Sequence, residues 1–174
     1  MDHLKLYDYL TKARERVLNA LRPLTPEHYH HEFNFGLKTI ARTLTHVMIS
    51  EWYYIERFTG RHVPPYVEWP IKDETPPEFG VVEATWREQE QATRAALAAE
   101  RDWTRTIAWD SFPDDAGRRS HITATVGDLL AQLVLHEVHH RAQVMAMLRG
   151  LGDGVAPLQD IDYNDLMYER RLLT

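Results

Sequence analysis

No cysteine occurs among the 174 residues, which removes disulfides, cysteine-based zinc sites and a protein-borne thiol nucleophile together. Any metal must be held by His, Asp or Glu. No basic excess exists either: 20 Lys and Arg stand against 26 Asp and Glu, for a net charge of −6. A dedicated nucleic-acid binder needs a basic face to neutralise phosphates, so small molecules or proteins are the expected partners and nucleic acid is not. An uninterrupted apolar run of about 18 residues is missing, and the first six residues carry no basic stretch followed by an apolar one. The expectation is a cytoplasmic protein without membrane attachment. The oddity in what remains is histidine, present ten times.

The hydrophobic and charged fractions, 44% and 26%, suit one globular domain spanning residues 1–174. Residues 2–21 carry Leu4, Tyr7, Leu10, Ala13 or Arg14, Val17, Leu18 and Leu21 at helical spacing and stop before Pro23. A polar connection follows to Gly36, with a short helical turn and the cluster His28, His30 and His31. Residues 37–58 read as a second, largely buried helix ended by Gly60. Five prolines between positions 60 and 80 make that stretch a long crossover loop. A third helix is expected over 81–100, then a small hairpin from 103–109 and 120–125 around a turn at 114–117. Thr125 can cap a fourth helix, with Asp128 completing the capping box, that runs to about Gly150. A short terminal helix is expected within 160–173. Four long helices and one crossover predict an all-α four-helix bundle, an architecture that builds metal sites from inward-facing side chains.

On the fourth helix Leu129, Leu133, His136, His140, Val144 and Met147 recur at spacings of three and four, so both histidines share the apolar stripe. Two imidazoles one turn apart can reach one metal ion, whereas burying them alone leaves polar nitrogens unsatisfied at about 1–3 kcal/mol each. Residues 136–140 also spell H-E-x-x-H, in which two His bind zinc and the Glu serves as general base of a peptidase. A second role is open to that Glu, because Glu137 and Arg141 are oriented for an intrahelical ion pair. His139 lies about 80° off the stripe and reads as a neighbour. Gln143 lies one turn on from His139 and His140, where it can orient a water or a ligand imidazole. Trp52, Tyr53, Tyr54 and Phe58 read as core packing or as the lining of a pocket. Asp160, Asp162 and Asn164 mimic the start of a calcium loop, which Asp165 and Arg171 then break.

The run His136-Glu-Val-His-His140-Arg141-Ala142-Gln143, preceded far upstream by Leu44-Thr45-His46 within residues 39–48, resembles the DinB family of DinB/YfiT-like metalloenzymes. The resemblance spans most of the chain, from the N-terminal helix to the acidic, Tyr-containing tail. It implies an up-down-down-up four-helix bundle and a divalent metal, zinc, nickel or iron, held by His46, His136 and His140. His46 rests on that resemblance, since by helical angle it lies nearly opposite Leu44 and Ile40, beside Ile49 and Tyr53. Three His ligands leave positions open for water or substrate. The implied activity is activation of water or of a low-molecular-weight thiol for transfer to, or hydrolysis of, a small-molecule substrate; any thiolate must arrive on a cosubstrate, because the chain has no cysteine of its own. Two other readings stand beside it: a non-catalytic, stress-associated metal-binding bundle, and a zinc peptidase using Glu137. The resemblance also implies a homodimer, for which the sequence shows no separate interface stripe.

Overall fold

The computed structural model describes residues 2–152, 159–169 and 171. Among these the chain is mostly helical, with one small two-stranded sheet. Helix α1 spans His3–Leu21, opened by the Asp2 side chain, which accepts a hydrogen bond from the Lys5 backbone N–H at 3.0 Å. A short α2, Pro26–Tyr29, has Pro at its start, where the missing N–H costs nothing. Helix α3 is Ile40–Phe58. It begins three residues later than the hydrophobic pattern suggests, because Gly36 and Lys38 both adopt positive φ and Thr39 caps the first turn. The crossover contains one 3-10 turn at Tyr66–Glu68 and an isolated bridge between Lys72 and Thr75.

Helix α4, Phe79–Ala99, starts just after the prolines and two residues earlier than expected. Strands β1, Thr106–Asp110, and β2, His121–Thr125, pair antiparallel with Ala108 opposite Thr123. Helix α5, Val126–Gly150, opens with the expected capping box: the Thr125 hydroxyl accepts from the Asp128 backbone N–H at 3.1 Å, and Asp128 accepts from the Thr125 backbone N–H at 2.8 Å. Such a cap contributes about 1 kcal/mol. The expected terminal helix shortens to α6, Tyr163–Met167; positions 170, 172 and 173 of the expected span lie outside the described residues.

Helices α1 and α3 each pack against both α4 and α5, so the four long helices close into a ring around a common core. One half of that core gathers Val17, Leu18, Ile40, Leu44, Met48, Trp86, Val144 and Met147. The other gathers Tyr7, Leu10, Ile55, Phe58, Leu97, Leu129 and Leu133. The stripe read on the first helix is buried, and it includes a charge: Arg14 is 4% exposed.

Arg14 anchors a polar network that ties the four helices together. Its Nη2 donates to Glu51 Oε2 on α3 and to Glu137 Oε2 on α5, both at 2.6 Å. Glu51 also accepts from the Tyr7 hydroxyl at 2.7 Å, the Thr93 hydroxyl at 2.8 Å and the Trp86 indole at 2.8 Å. Burial by itself would raise the Glu51 carboxyl; the Arg14 charge and these donors outweigh it and hold the carboxyl below its ordinary value.

Candidate metal centre

Three helical turns, one on α3 and two on α5, bring His46, His136 and His140 together. Ligand atoms from the three lie within 4.8 Å of one another, on side chains that are each partly exposed. Ring centroids are 5.0 Å apart for His46 and His136, 4.9 Å for His46 and His140, and 4.5 Å for His136 and His140. Helix α5 accounts for two of these positions, since four residues return the chain to the same face. The third comes from packing, which turns the His46 side of α3 toward α5.

Each outer imidazole is fixed by its second nitrogen. His46 Nδ1 lies 2.9 Å from Asp73 Oδ2. The hydrogen bond with His46 draws the Asp73 carboxyl down to about 2 against the raising effect of burial, aided by the Tyr66 hydroxyl, which donates to Oδ1. The carboxylate is therefore ionised, and His46 must be the donor through Nδ1–H, which leaves its Nε2 as an acceptor. Asp73 is itself held in place: its backbone carbonyl accepts from Arg42 Nε at 3.3 Å, and the bridge between Lys72 and Thr75 encloses it. On the other side His140 Nδ1 lies 2.9 Å from Gln143 Oε1, while Gln143 Nε2 lies 3.0 Å from His139 Nε2. One amide orientation satisfies both, with Nδ1–H of His140 donating to the oxygen and the amide NH2 donating to His139. The loop before α3 packs onto this amide so closely that a Cβ at Gly36 would stand 3.0 Å from Oε1, at a φ of +56° that already favours glycine.

His136 faces His46 directly, Nε2 to Nε2, at 3.1 Å. Nε2 of His46 is an acceptor, so the contact is held either by Nε2–H of His136 or, with both nitrogens as acceptors, by a metal ion shared between them. Nitrogens bound about 2.0–2.1 Å from one zinc ion, at right or tetrahedral angles, stand roughly 2.9–3.4 Å apart, so the spacing fits a shared ion. Burial pushes the His136 imidazole down to about 3, helped by the charges of His140, His46 and His139. Burial likewise lowers His140, against the Gln143 hydrogen bond, with His46 and His139 adding to the effect. Neutral imidazoles are the form that binds metals.

The Glu of H-E-x-x-H is elsewhere. Glu137 is 3% exposed, and its two oxygens take Arg14 Nη2 at 2.6 Å and Arg14 Nε at 3.3 Å, with Arg141 Nη1 at 3.7 Å. The expected pairing with Arg141 is present, but Arg14 is the closer partner. A carboxylate committed to guanidinium groups inside the core is not a free base beside the imidazoles, which removes the geometric ground for the peptidase reading. His28, His30 and His31 stay outside the cluster, on the polar connection. His139 is exposed and stands beside the cluster, edge-on to His140 at 4.9 Å and within hydrogen-bond distance of Gln143. Of the four aromatics on α3, Phe58 is core, while Trp52, Tyr53 and Tyr54 are partly exposed, with Tyr54 edge-on to His136 at 5.9 Å.

Asp73 and Tyr66 were not legible as site residues. They lie in an irregular loop, and no spacing rule connects an Asp there to a His 27 residues upstream.

The sequence profile of the DinB family matches residues 1–171. The chain belongs to the DinB family. It is similar to Protein DinB of Bacillus subtilis (strain 168), 27% identical over 156 residues that cover 88% of each protein. It also resembles the crystal structure of a DinB-like protein from Bacillus cereus ATCC 10987, at 24% identity and a TM-score of 0.58, covering 86% of this chain and 92% of that one. That likeness concerns the fold. Within this DinB-family chain the three histidines on which the resemblance drew are the three that converge, and no described helix is long and apolar enough to cross a membrane.

Proposed function

We propose that this chain is a metal-dependent enzyme of up-down-down-up four-helix-bundle form, in which His46, His136 and His140 hold one divalent ion, zinc, nickel or iron. The observation that carries the reading is the pair of Nε2 atoms 3.1 Å apart, each on an imidazole turned toward a common point. Asp73 fixes His46 as the Nδ1–H tautomer, and Gln143 does the same for His140. An ion so bound supplies Lewis-acid activation of a thiol or a water molecule. Three protein ligands leave further positions open, as catalytic sites do and closed structural sites do not. Partial exposure of all three imidazoles gives a small substrate access. Because the chain has no cysteine, a thiolate must arrive on a cosubstrate, and the reaction class is transfer to or hydrolysis of a small molecule.

The test uses cobalt(II)-loaded, untagged protein. Adding a small thiol such as 2-mercaptoethanol should produce near-ultraviolet charge-transfer absorption, absent in His136→Ala. A bound cobalt whose spectrum ignores both thiol and pH between about 6 and 9 has no open position and would favour the non-catalytic, metal-binding bundle.

A further inference from the structure

About a third of a turn around α3 from His46, Met48, Ile49 and Trp52 form one wall of a cavity of about 220 Å³. The crossover supplies a second wall with Trp69, Pro70 and Ile71, and α4 a third with Thr85 and Gln89. None of these eight side chains is charged. Trp52 and Trp69 meet edge to face with centroids 5.0 Å apart, and Trp69 is held by its indole N–H, which donates to the Pro64 carbonyl at 2.9 Å. Gln89 commits its amide nitrogen to the Met48 carbonyl at 3.0 Å, so the polar side-chain atoms left in the lining are its amide oxygen, the Thr85 hydroxyl and the Trp52 indole N–H.

We propose that this cavity is a binding pocket for an uncharged aromatic molecule of one or two rings. Size supports this: an apolar cavity of about 150 Å³ accepts benzene, so 220 Å³ suits a ring system of indole size. Chemistry supports it as well. Tryptophan faces and edges favour aromatic over aliphatic occupants, and an acceptor beside apolar walls suits a single N–H or O–H on the ring. With no cationic or anionic partner in the lining, a charged analogue would lose its hydration without compensation. The pocket is distinct from the histidine cluster but shares its supports: Ile49 is one turn from His46, and Ile71 is two residues from Asp73.

Nitrogen-15 NMR of the five indole N–H groups tests this directly, with Trp52→Phe and Trp69→Phe used for assignment. Indole or 2-naphthol, at about millimolar concentration, should move the Trp52 and Trp69 signals saturably and leave those of Trp86, Trp103 and Trp109 in place. 2-Naphthoate should bind at least tenfold more weakly. Thr85→Phe and, as a second filling variant, Ile71→Phe should abolish the shifts while circular dichroism stays helical. His136→Ala should retain them, which separates this pocket from the metal reading. The proposal is overturned by no saturable shift in folded protein, by shifts spread over all five tryptophans, by equal binding of 2-naphthoate, by binding that survives both filling variants, or by its loss in His136→Ala.

Discussion

Two polar clusters meet α5 on faces about 100° apart, through residues adjacent in sequence. Glu137 and Arg141 turn into the core, and His136 and His140 turn to its edge. The core cluster is balanced within itself. Arg14 and Arg141 face Glu51 and Glu137, and Glu51 accepts three hydrogen bonds from neutral donors in addition to the one from Arg14. The edge cluster is open, because Nδ1 of His46 and Nδ1 of His140 are taken by Asp73 and Gln143, which leaves their Nε2 atoms as acceptors beside His136. A buried network that satisfies its own charges fixes helices in place. One that brings three imidazoles together at a partly exposed point could hold a cation from outside. Burial and partnership, and not the motif H-E-x-x-H as a string, divide the two roles.

The largest expected effect falls on the core cluster. Arg14→Ala strands two buried carboxylates, and thermal or denaturant unfolding should show a loss of about 3–5 kcal/mol. A loss below 1 kcal/mol would mean the network is not what joins the helices. On the other cluster Asp73→Asn should weaken metal affinity by roughly 10- to 100-fold, measured by competition with a chelator, because the amide no longer enforces the Nδ1–H tautomer of His46. The same variant should change unfolding much less than Arg14→Ala. Equal losses of stability in both would erase the distinction between the clusters.

Glu137→Gln sharpens the contrast further. It should cost about 1–3 kcal/mol of stability and leave metal content at the wild-type level, whereas a base or ligand role would lower metal content or abolish a metal-dependent activity. The smallest effect is in pH dependence. The Glu51 carboxyl lies below its ordinary value of 4.5 in the folded chain. Its contribution is therefore complete above that ordinary value and is lost as pH falls through the lower, folded value. Glu51→Gln should flatten the decline of stability on the acid side of pH 4.5 and leave the slope at neutral pH unchanged, as read from denaturant midpoints.

Much of this was legible in the residues. Apolar patterning located α1, α3 and α5, a run of strong helix formers located α4, whose buried face is only Val82, Trp86, Thr93 and Leu97, and Thr125 with Asp128 marked the start of α5 to the residue. Boundaries drifted where backbone conformation overrode hydrophobic pattern, as at Gly36 and Lys38 before α3. Two of the converging histidines followed from spacing on one helix; His46 needed the family resemblance, since the contact between α3 and α5 is tertiary. Arg14 was visible as a charge on an apolar stripe, but its partners on α3 and α5 were not, because nothing local pairs residues 37 and 123 positions apart. Asp73 and Tyr66 gave no sign, coming from a loop whose path is set by prolines and packing.

Metal content of untagged protein, compared by mass spectrometry between wild type and His140→Ala, tests the central claim most directly. The account predicts close to one ion per chain in wild type, lost in the variant, with the helical fold intact in both. A wild-type chain that contains no ion and refuses zinc, nickel and iron would contradict it, and would make His46, His136 and His140 a proton-sharing cluster with no metal to hold.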